Sequence, residues 1–403
     1  MNKSRFFSGQ PIFTQLLELL PKADVVRLAR HKGSDRYYKK FTTHSHLIAM
    51  LYACYENCTS LREVVTGMQA CQGKLQCLHL NALPARSTFS EANKHRSYEV
   101  FESIFYHLLE RYRQFLPDSR CKDRKLLSRL ILIDSTTISL FREILKNAGP
   151  SKANGKRKGG IKVHMAVRAS ENVPCLVRLT AAAKSDSPFL REIDLKKGSV
   201  VVMDRGYNGF SKLIEWNKTG VWWVTRLRSN THYRVTKNLI VDESQKALGV
   251  ISDQYIVMGA LKKEIPKVRC RLIQYYDETT KKHLSFLTNN RQWKATKIAA
   301  IYKRRWQIEL LFKRLKQNTT LQYFLGDNEN AIKVQIFIAL IADLLLKLAT
   351  AKVKRNWAHS NLASLVRLHL MNYTKLTDFL EDPYHTSITD PVPNSQLQLF
   401  EYG

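Results

Sequence analysis

The segment LLSRLILIDSTTISLF, residues 126–141, decides the fold class. Its centre, residues 130–133, is an unbroken apolar run of the kind that forms a strand buried on both faces of a sheet. The run ends at Asp134, and SVVVMDRGY, residues 199–207, repeats the pattern with Asp204 after its own apolar run. Two such strands predict an α/β sheet with both acids at one edge, where the ligand sites of such sheets gather.

The two acids have a structural and a functional interpretation. Taken singly, Asp134 or Asp204 could simply cap the turn after its strand. Brought together at one sheet edge, their carboxylates would repel each other and would need a cation between them. A third acidic element decides in favour of the second interpretation.

That third element is the segment KIAAIYKRRWQIELLFKRLKQ, residues 297–317. Its helical period places an aromatic ring, a guanidinium, a carboxylate and an ammonium within about 60° on one face. These side chains belong to Tyr302, Arg305, Glu309 and Lys316, and Trp306 flanks them. Such a stripe suits a metal ion beside a DNA phosphate, because Arg grips phosphate bidentately and Lys adds a point charge. The alternative is a solvated face with intrahelical ion pairs.

The charge balance predicts a polyanionic partner. Lys and Arg number 65 against 34 Asp and Glu, which gives a formal net charge of +31. Each phosphate that a protein neutralises releases condensed counterions, so this excess favours binding to a polyanion. DNA, RNA and an anionic membrane would all satisfy it. The most apolar stretch, residues 332–350, is interrupted by polar and charged residues, so we expect a buried helix and no membrane partner.

Cysteine usage and the first residues predict free thiols in a reducing cytosol. The cysteines number seven, and no secretory signal opens the chain. One group resembles a loose zinc box, but its spacing favours buried thiols instead. Its members are Cys54, Cys58, Cys71 and Cys77.

The basic segment GPSKANGKRKGG, residues 149–160, lacks the spacing of an ATP-binding loop, so we expect no nucleotide cofactor. Its cations indicate a flexible loop that binds the DNA backbone, although a solvated basic loop fits equally. Those cations, with one that follows the segment, are Lys152, Lys156, Arg157, Lys158 and Lys162.

Hydrophobic periodicity divides the chain into five parts. We expect a helical N-terminal DNA-binding region at residues 1–125, a first part of the catalytic core at 126–219 and a mostly β insertion at 220–290. A second, helical part of the core follows at 291–382, and a poorly ordered tail at 383–403.

Within the N-terminal region, a helix that opens near Ser87 after a loop resembles a helix-turn-helix reader. Ser87 is its candidate N-cap. The loop is longer than the usual turn, so a plain helical bundle is an equal alternative.

Three motifs together resemble the DDE transposases of bacterial insertion sequences, and specifically those of family four with the Y-R-E-K signature. The stripe on residues 297–317 matches that signature in residue type and spacing. IDST around Asp134 and DRGY around Asp204 are similar to the family's two acidic motifs, and all three stand in the same order along the chain.

The resemblance implies a ribonuclease-H-like catalytic core interrupted by a mostly β insertion. It implies cut-and-paste transposition of an insertion sequence, with strand cleavage, a hairpin intermediate and strand transfer. Asp134, Asp204 and Glu309 would be the catalytic residues and the ligands of two Mg²⁺ ions, for which Mn²⁺ could substitute. The partner would be double-stranded DNA, both the inverted repeats at the transposon ends and the target, bound by a homodimer on paired ends. We expect a bacterial, cytoplasmic, nucleoid-associated protein.

The resemblance also implies contacts to DNA. Tyr302, Arg305 and Lys316 would contact the phosphate at the transposon end, with Trp306 beside them. In relatives, an aromatic residue of the insertion stacks on a flipped base. Trp222 or Trp223 could do this, although a core role for at least one of them is the stronger alternative.

His164 could lie near the metal ions, but a structural histidine is the preferred interpretation. Two rival functions remain. A ribonuclease-H-like nuclease without strand transfer would share the acids but would not need the basic stripe. An inactive DNA-binding protein would not need all three acids.

Overall fold

The structure is a computed structural model that describes residues 9–74, 76–80, 82–116, 123–139, 150–153, 156–207, 209–259, 267–319, 321 and 323–383. The N-terminal helices are α1 (Ile12–Leu17), α2 (Lys22–His31), α3 (Thr43–Glu56), α4 (Leu61–Ala70), α5 (Arg86–His95), α6 (Tyr98–Tyr112) and α7 (Arg124–Leu127). The later helices are α8 (Phe210–Thr219), α9 (Glu243–Ala247), α10 (Ala295–Lys303), α11 (Trp306–Asn318), α12 (Glu329–Thr350), α13 (His359–Leu368) and α14 (Leu376–Glu381).

One mixed sheet forms the centre of the molecule, in the order β2-β3-β1-β5-β6-β10-β9-β8-β7, with β4 paired to β3. Its strands are β1 (Leu130–Ser139), β2 (Pro150–Ala153), β3 (Lys156–Arg168), β4 (Val173–Ala181), β5 (Val200–Met203), β6 (Trp222–Arg226), β7 (Tyr233–Asn238), β8 (Val250–Met258), β9 (Val268–Asp277) and β10 (Lys282–Thr288).

The middle of this sheet has the topology of a ribonuclease-H-like core. β4, β3 and β1 are antiparallel neighbours, and β5 and β6 then continue in parallel with β1. A helix, α8, makes the crossover between the two parallel strands. The expected α/β fold class is therefore confirmed, with the helical N-terminal region beside the sheet.

The apolar run of β1 is buried on both faces, as its composition predicts. Leu130 and Leu132 join one hydrophobic core, whereas Ile131 and Ile133 join a second core on the opposite face. This alternation follows from the period of two along a strand. Asp134, which follows the run, lies within β1 because the strand continues to Ser139 beside β3. The expectation that the strand ends at this acid is therefore wrong.

The β-rich segment after β6 continues the same sheet. β10, β9, β8 and β7 are successive antiparallel neighbours beyond β6. The sequence places the start of the insertion at residue 220, whereas β6 pairs in parallel with β5 and belongs to the core sheet. Because one sheet runs through both parts, the division into domains stays a prediction.

The long helix α12 joins the N-terminal helices to the catalytic part. It is buried almost all round, as a helix with apolar residues on every side must be, and this confirms the buried helix expected over residues 332–350. Tyr98 on α6 stacks on Phe337 with ring centroids 6.1 Å apart, and the Tyr55 hydroxyl on α3 donates to the Ala342 carbonyl at 3.1 Å. In the described parts of the chain, no helix combines the length and apolarity needed to cross a membrane.

Four local expectations can be compared with the structure. α5 begins at Arg86 with Ala85 as its N-cap and no side-chain cap, so the N-cap assignment of Ser87 is wrong and Ser87 lies in the first turn. Part of the basic segment expected to be a loop forms β2 and the start of β3, which pair in antiparallel register, so the expectation of a loop at these residues is wrong. Cys54 and Cys58 are buried, as predicted, and Cys71 and Cys77 are half-buried. The tail from residue 384 lies outside the described residues.

A buried ion-pair cluster fixes α11 against α12 and α13. The Asp343 carboxylate lies 2.7 Å from Arg314 Nη2 and 3.0 Å from His359 Nε2. Burial opposes its ionisation, but the charges of Arg314 and His359 outweigh that effect and hold the pKa of Asp343 well below its ordinary range. The stabilisation is therefore present above pH 3.8, the ordinary value of the carboxyl, and is lost only as the pH falls below it.

We predict that Asp343→Ala lowers the free energy of unfolding by about 3 kcal/mol, because it leaves a buried guanidinium without its carboxylate. Urea denaturation measures the change. Asp378→Ala is the matched control, since Asp378 pairs with Lys375 on the surface, and such pairs contribute about 0–1 kcal/mol. Equal effects of the two substitutions would contradict the role of the cluster.

Candidate active site

The parallel pairing of β1 with β5 brings the first two acids side by side: Asp204 follows the last residue of β5, whereas Asp134 lies within β1. Ile133 pairs with Met203 in the parallel register of these strands, and Asp134 and Asp204 are the next residues. Neighbouring strands lie about 4.8 Å apart. The two acidic motifs therefore meet at one edge of the sheet.

Each of these carboxylates accepts a backbone N–H from its own segment. Ser135 N donates to Asp134 Oδ1 at 2.8 Å, and Gly206 N donates to Asp204 Oδ2 at 3.1 Å. These hydrogen bonds are directional, so they hold each carboxylate in one orientation.

The helical segment with the third acid is broken into two helices. α10 ends at Lys303 and α11 begins at Trp306, and Arg305 N bonds to the Tyr302 carbonyl at 2.9 Å, a tight turn of i to i+3 spacing. The expectation of one continuous helix over residues 297–317 is therefore wrong. A short tightened turn preserves the direction of the chain, so the side chains of the stripe still reach β1.

Arg305 is the centre of the site. Its Nη1 lies 2.7 Å from Asp134 Oδ2, and its Nη2 donates to Glu309 Oε1. All three side chains are largely buried. The guanidinium thus joins the acid of β1 to the acid of α11. These two acids, at positions 134 and 309, are 175 residues apart in the sequence.

The electrostatics of the site agree with this geometry. Burial raises the pKa of Asp134 to about 6, the charge of Arg305 and the Ser135 N–H oppose that rise, and the negative charges of Asp204 and Glu309 add to it. Burial would lower the pKa of Arg305, but Tyr302 and the two acids outweigh it and raise that pKa further. Arg305 therefore stays charged and neutralises a site that is otherwise strongly negative.

The donor set fits a hard divalent cation, although the site is closed around Arg305. The three candidate ligands offer only carboxylate oxygens, which Mg²⁺ and Mn²⁺ prefer. Among the residues that the structure describes, no three His, Cys, Asp or Glu side chains stand close enough to hold a metal ion as they are. In this state the guanidinium is the cation that two of the carboxylates share.

Lys316 lies at the mouth of the site. Its Nζ donates to Thr136 Oγ1 at 2.7 Å and to the Thr137 carbonyl at 3.2 Å, and burial lowers its pKa. A surface pocket next to it is lined by Asp134, Glu309 and the exposed Lys313. Cations therefore stand at the entrance to the carboxylates, where a phosphate would arrive.

The two aromatic residues of the stripe differ in exposure. Trp306 is 59% exposed and can meet a ligand without rearrangement. Tyr302 is buried: its ring packs on Phe286 with centroids 4.9 Å apart, and the Arg305 guanidinium lies 5.7 Å from its ring centroid. Tyr302 therefore supports Arg305 from behind in this state.

His164 is structural, as preferred from the sequence. It is buried, its Nδ1 lies 3.2 Å from the Tyr207 hydroxyl, and its Nε2 lies 3.0 Å from Thr180 Oγ1. Burial lowers the pKa of His164 to about 4, so the ring is neutral near pH 7.

Of the two candidate base-stacking residues, Trp223 is 0% exposed and donates its indole N–H to Asn217 Oδ1 at 3.0 Å. It presents no ring face to a base, so the assignment of Trp223 as a stacking residue is corrected to a core role. Trp222 points to the other face of β6, where it is half-buried against the larger core. Base stacking by Trp222 stays a prediction.

Two further residues contact the segments that carry Asp134 and Asp204, and the sequence analysis did not identify them. They are Asp186 and Arg228. Arg228 donates from Nε to the Arg205 carbonyl at 2.6 Å and from Nη2 to the Gly206 carbonyl at 2.7 Å. It therefore holds the turn that follows Asp204. An arginine just past a strand end has no local signature, so only the fold identifies it.

We predict that Arg228→Ala loosens this turn. Two hydrogen bonds of about 0.5–1.5 kcal/mol each are lost, so the amides of Gly206 and Tyr207 should exchange with solvent deuterium at least about tenfold faster. Arg228→Lys should not restore protection, because an ammonium cannot bridge the two carbonyls in the same way. Arg234→Ala, an exposed arginine of β7, is the control. Unchanged exchange in Arg228→Ala would show that the turn is held by other contacts.

Comparisons with known proteins agree with the motifs. The family model described as "Transposase DDE domain" matches residues 125–345, which include the three acids. A model described as a domain of unknown function matches residues 8–79.

Similar proteins carry transposase names. A protein of Sinorhizobium fredii named transposase y4zB is 32% identical over 66% of this chain and 72% of its own length. A transposase for insertion sequence element IS4SA of Synechocystis is 28% identical over 65% of this chain and 71% of its own length. A transposase for insertion sequence element IS5377 of Geobacillus stearothermophilus is 26% identical over 54% and 56%.

Among solved structures, the piggyBac transposase synaptic complex with hairpin DNA aligns with 95% of this chain and 84% of that chain. Its TM-score is 0.47 and its sequence identity 8%, which is too remote a likeness to argue from. The family model and the sequence relatives suffice: the chain belongs to the DDE transposases and is an enzyme of the insertion-sequence type that acts on DNA.

Proposed function

We propose that Asp134, Asp204 and Glu309 are the catalytic residues and bind two Mg²⁺ ions, for which Mn²⁺ can substitute. The observation that carries this proposal is the shared guanidinium: Asp134 and Glu309 converge on Arg305, and Asp204 acts on Asp134 electrostatically. Acids that gather around one cation are suited to exchange it for another. Carboxylate oxygens are the ligands that these ions prefer.

Divalent ions at these carboxylates would activate the attacking water or 3′-OH and stabilise the leaving oxygen of an in-line displacement. Arg305 would leave its two carboxylates when they take up metal. Its fork of N–H donors would then be free to bind a DNA phosphate bidentately. In this proposal one side chain neutralises the carboxylates before metal binds and later grips the substrate.

The other side chains of the stripe would complete the grip on the transposon end. Lys316 stands at the mouth of the site and would supply a point charge to the phosphate. The exposed indole of Trp306 would lie against the DNA. Tyr302 would contact the phosphate only once Arg305 has moved from its ring.

The N-terminal region is the proposed reader of double-stranded DNA, at the inverted repeats of the transposon ends. Helix α5 supports this because it buries only Phe89, Ala92 and Asn93. The rest of its surface is polar and exposed, including Arg86 and Lys94. A short polar helix held from behind by apolar residues suits the major groove.

The reaction that we propose is cut-and-paste transposition with strand transfer to target DNA, and release of the flanking DNA through a hairpin. A homodimer would hold the two ends together, because both must be cut and joined. The protein would act in the bacterial cytoplasm on the nucleoid. A ribonuclease-H-like nuclease would produce nicks but no joined product from a 3′-OH donor, so an assay for strand transfer separates the two functions.

We predict that cleavage and end binding can be separated. Asp134→Ala should abolish cleavage of a DNA fragment that carries the transposon end, because a metal ligand is lost, while end binding in a gel-shift assay survives. If binding collapses as well in a folded Asp134→Ala protein, Asp134 is structural and the ligand assignment fails.

The complementary test, which should lose end binding, is the double substitution of Arg86→Ala and Lys94→Ala on α5. Both side chains are exposed, so the fold should persist. We expect specific end binding to fall at least about tenfold, since a lost phosphate or base contact costs about 1–3 kcal/mol. Specific binding equal to that of the unaltered protein would exclude α5 as the reader.

We predict that Arg305→Ala weakens binding to pre-cleaved ends in the presence of Mg²⁺. The slope of log K against log salt should fall by about 0.9, the value for one phosphate contact. Arg305→Lys keeps the charge and should restore the slope but not the full affinity, because it loses the bidentate fork. A salt slope unchanged in Arg305→Ala would contradict the phosphate role.

A further inference from the structure

A fourth carboxylate, that of Asp186, lies behind the two acidic motifs. Asp186 stands before a short 3-10 turn, Ser187–Glu192, in the connection from β4 to β5. It belongs to neither acidic motif, and nothing in the reaction proposed above uses it. Its contacts nevertheless connect both motifs.

The first contact is to the motif around Asp134. Ser135 Oγ donates to Asp186 Oδ1 at 3.2 Å, while the backbone N–H of the same Ser135 donates to Asp134 Oδ1 at 2.8 Å. Successive side chains of a strand point to opposite faces, so Asp186 holds β1 on the face away from Arg305. Ser135 therefore links the two carboxylates through the strand.

The second contact is to the turn after Asp204. A Cβ on Gly206 would lie only 3.0 Å from Asp186 Oδ2 and 3.6 Å from Asp204 Oδ2. Gly206 is thus the close-approach position that lets the two carboxylates share one turn. The N–H of Gly206 donates to Asp204, just as the N–H of Ser135 donates to Asp134.

The negative charge of Asp186 is compensated by Lys162 on β3. Lys162 Nζ donates to Asp186 Oδ1 at 3.0 Å and to the Lys184 carbonyl at 2.9 Å. His164 lies 3.7 Å away through Nδ1 and is engaged with Tyr207. Lys162 therefore holds Asp186 in one orientation while Asp186 accepts from Ser135 and lies close to Gly206.

From this geometry we infer that Asp186 is a positioning residue that fixes the separation and orientation of Asp134 and Asp204. This inference rests on the proposed assignment of those two acids as metal ligands. Asp186 accepts a hydrogen bond from Ser135, the residue after Asp134, and lies against Gly206, two residues after Asp204. Partners that orient metal ligands from behind contribute about 10–100-fold to metal affinity or activity, and we expect Asp186 to lie in that range.

The test compares Asp186→Ala with Asp186→Asn in the full chain without DNA. Asn keeps an oxygen acceptor of the same shape for Ser135 and Lys162, whereas Ala removes it. Mn²⁺ titration followed by electron paramagnetic resonance reports free ion directly, so it does not depend on activity. We expect the Mn²⁺ dissociation constant to rise at least about tenfold in Asp186→Ala and less than about threefold in Asp186→Asn.

Asp194→Asn is the matched control, because Asp194 is an exposed acid of the same connection and should leave the titration unchanged. The melting temperature without metal checks that each variant is folded. The Mn²⁺ concentration for half-maximal end cleavage should rise in parallel in Asp186→Ala, which a purely structural role would not cause. A folded Asp186→Ala with unchanged Mn²⁺ affinity overturns the inference, and so does an equal loss in Asp186→Asn.

Asp134→Ala separates this inference from the proposed function. If Asp134→Ala binds Mn²⁺ as the unaltered protein does, the ligand assignment itself fails. If Asp134→Ala loses Mn²⁺ but Asp186→Ala does not, the ligands stand and only the positioning role of Asp186 is wrong.

Discussion

The interaction on which the site depends is the guanidinium of Arg305 between Asp134 and Glu309. Two acids that are largely buried near a third would repel each other, and the charge of Arg305 balances them. The tight turn between α10 and α11 places Arg305 there, and the pairing of β1 with β5 places Asp204 beside Asp134. The fold thus builds a negative site around an internal cation, the Arg305 guanidinium.

The rest of the molecule keeps the parts of this site in register. The buried cluster around Asp343 fixes α11, which carries Glu309, against α12. The N-terminal helices in turn pack against α12. Arg228 holds the turn after Asp204 from the start of the antiparallel extension of the sheet. The three proposed catalytic acids come from separate elements, and charged side chains outside the acidic motifs anchor α11 and the turn after Asp204.

The sequence predicts the acids because their signals are local. An apolar run that ends in Asp marks Asp134 and Asp204, and the helical period marks Glu309 even though the helix breaks before it. Asp186 could not be predicted, because it acts on Ser135, 51 residues away, from an irregular connection. Trp223 is buried more deeply than Trp222 because the two faces of β6 pack against different cores, and adjacent tryptophans carry no signal for that.

The central claim is that metal and Arg305 compete for the same carboxylates. A crystal structure of the protein with Mn²⁺, with the ions located by anomalous scattering, tests it most directly. We expect Mn²⁺ bound by Asp134, Asp204 and Glu309, with the Arg305 guanidinium withdrawn from both acids. The account would be contradicted if, at saturating Mn²⁺, the ions lay elsewhere and Arg305 were still bonded to Asp134 and Glu309.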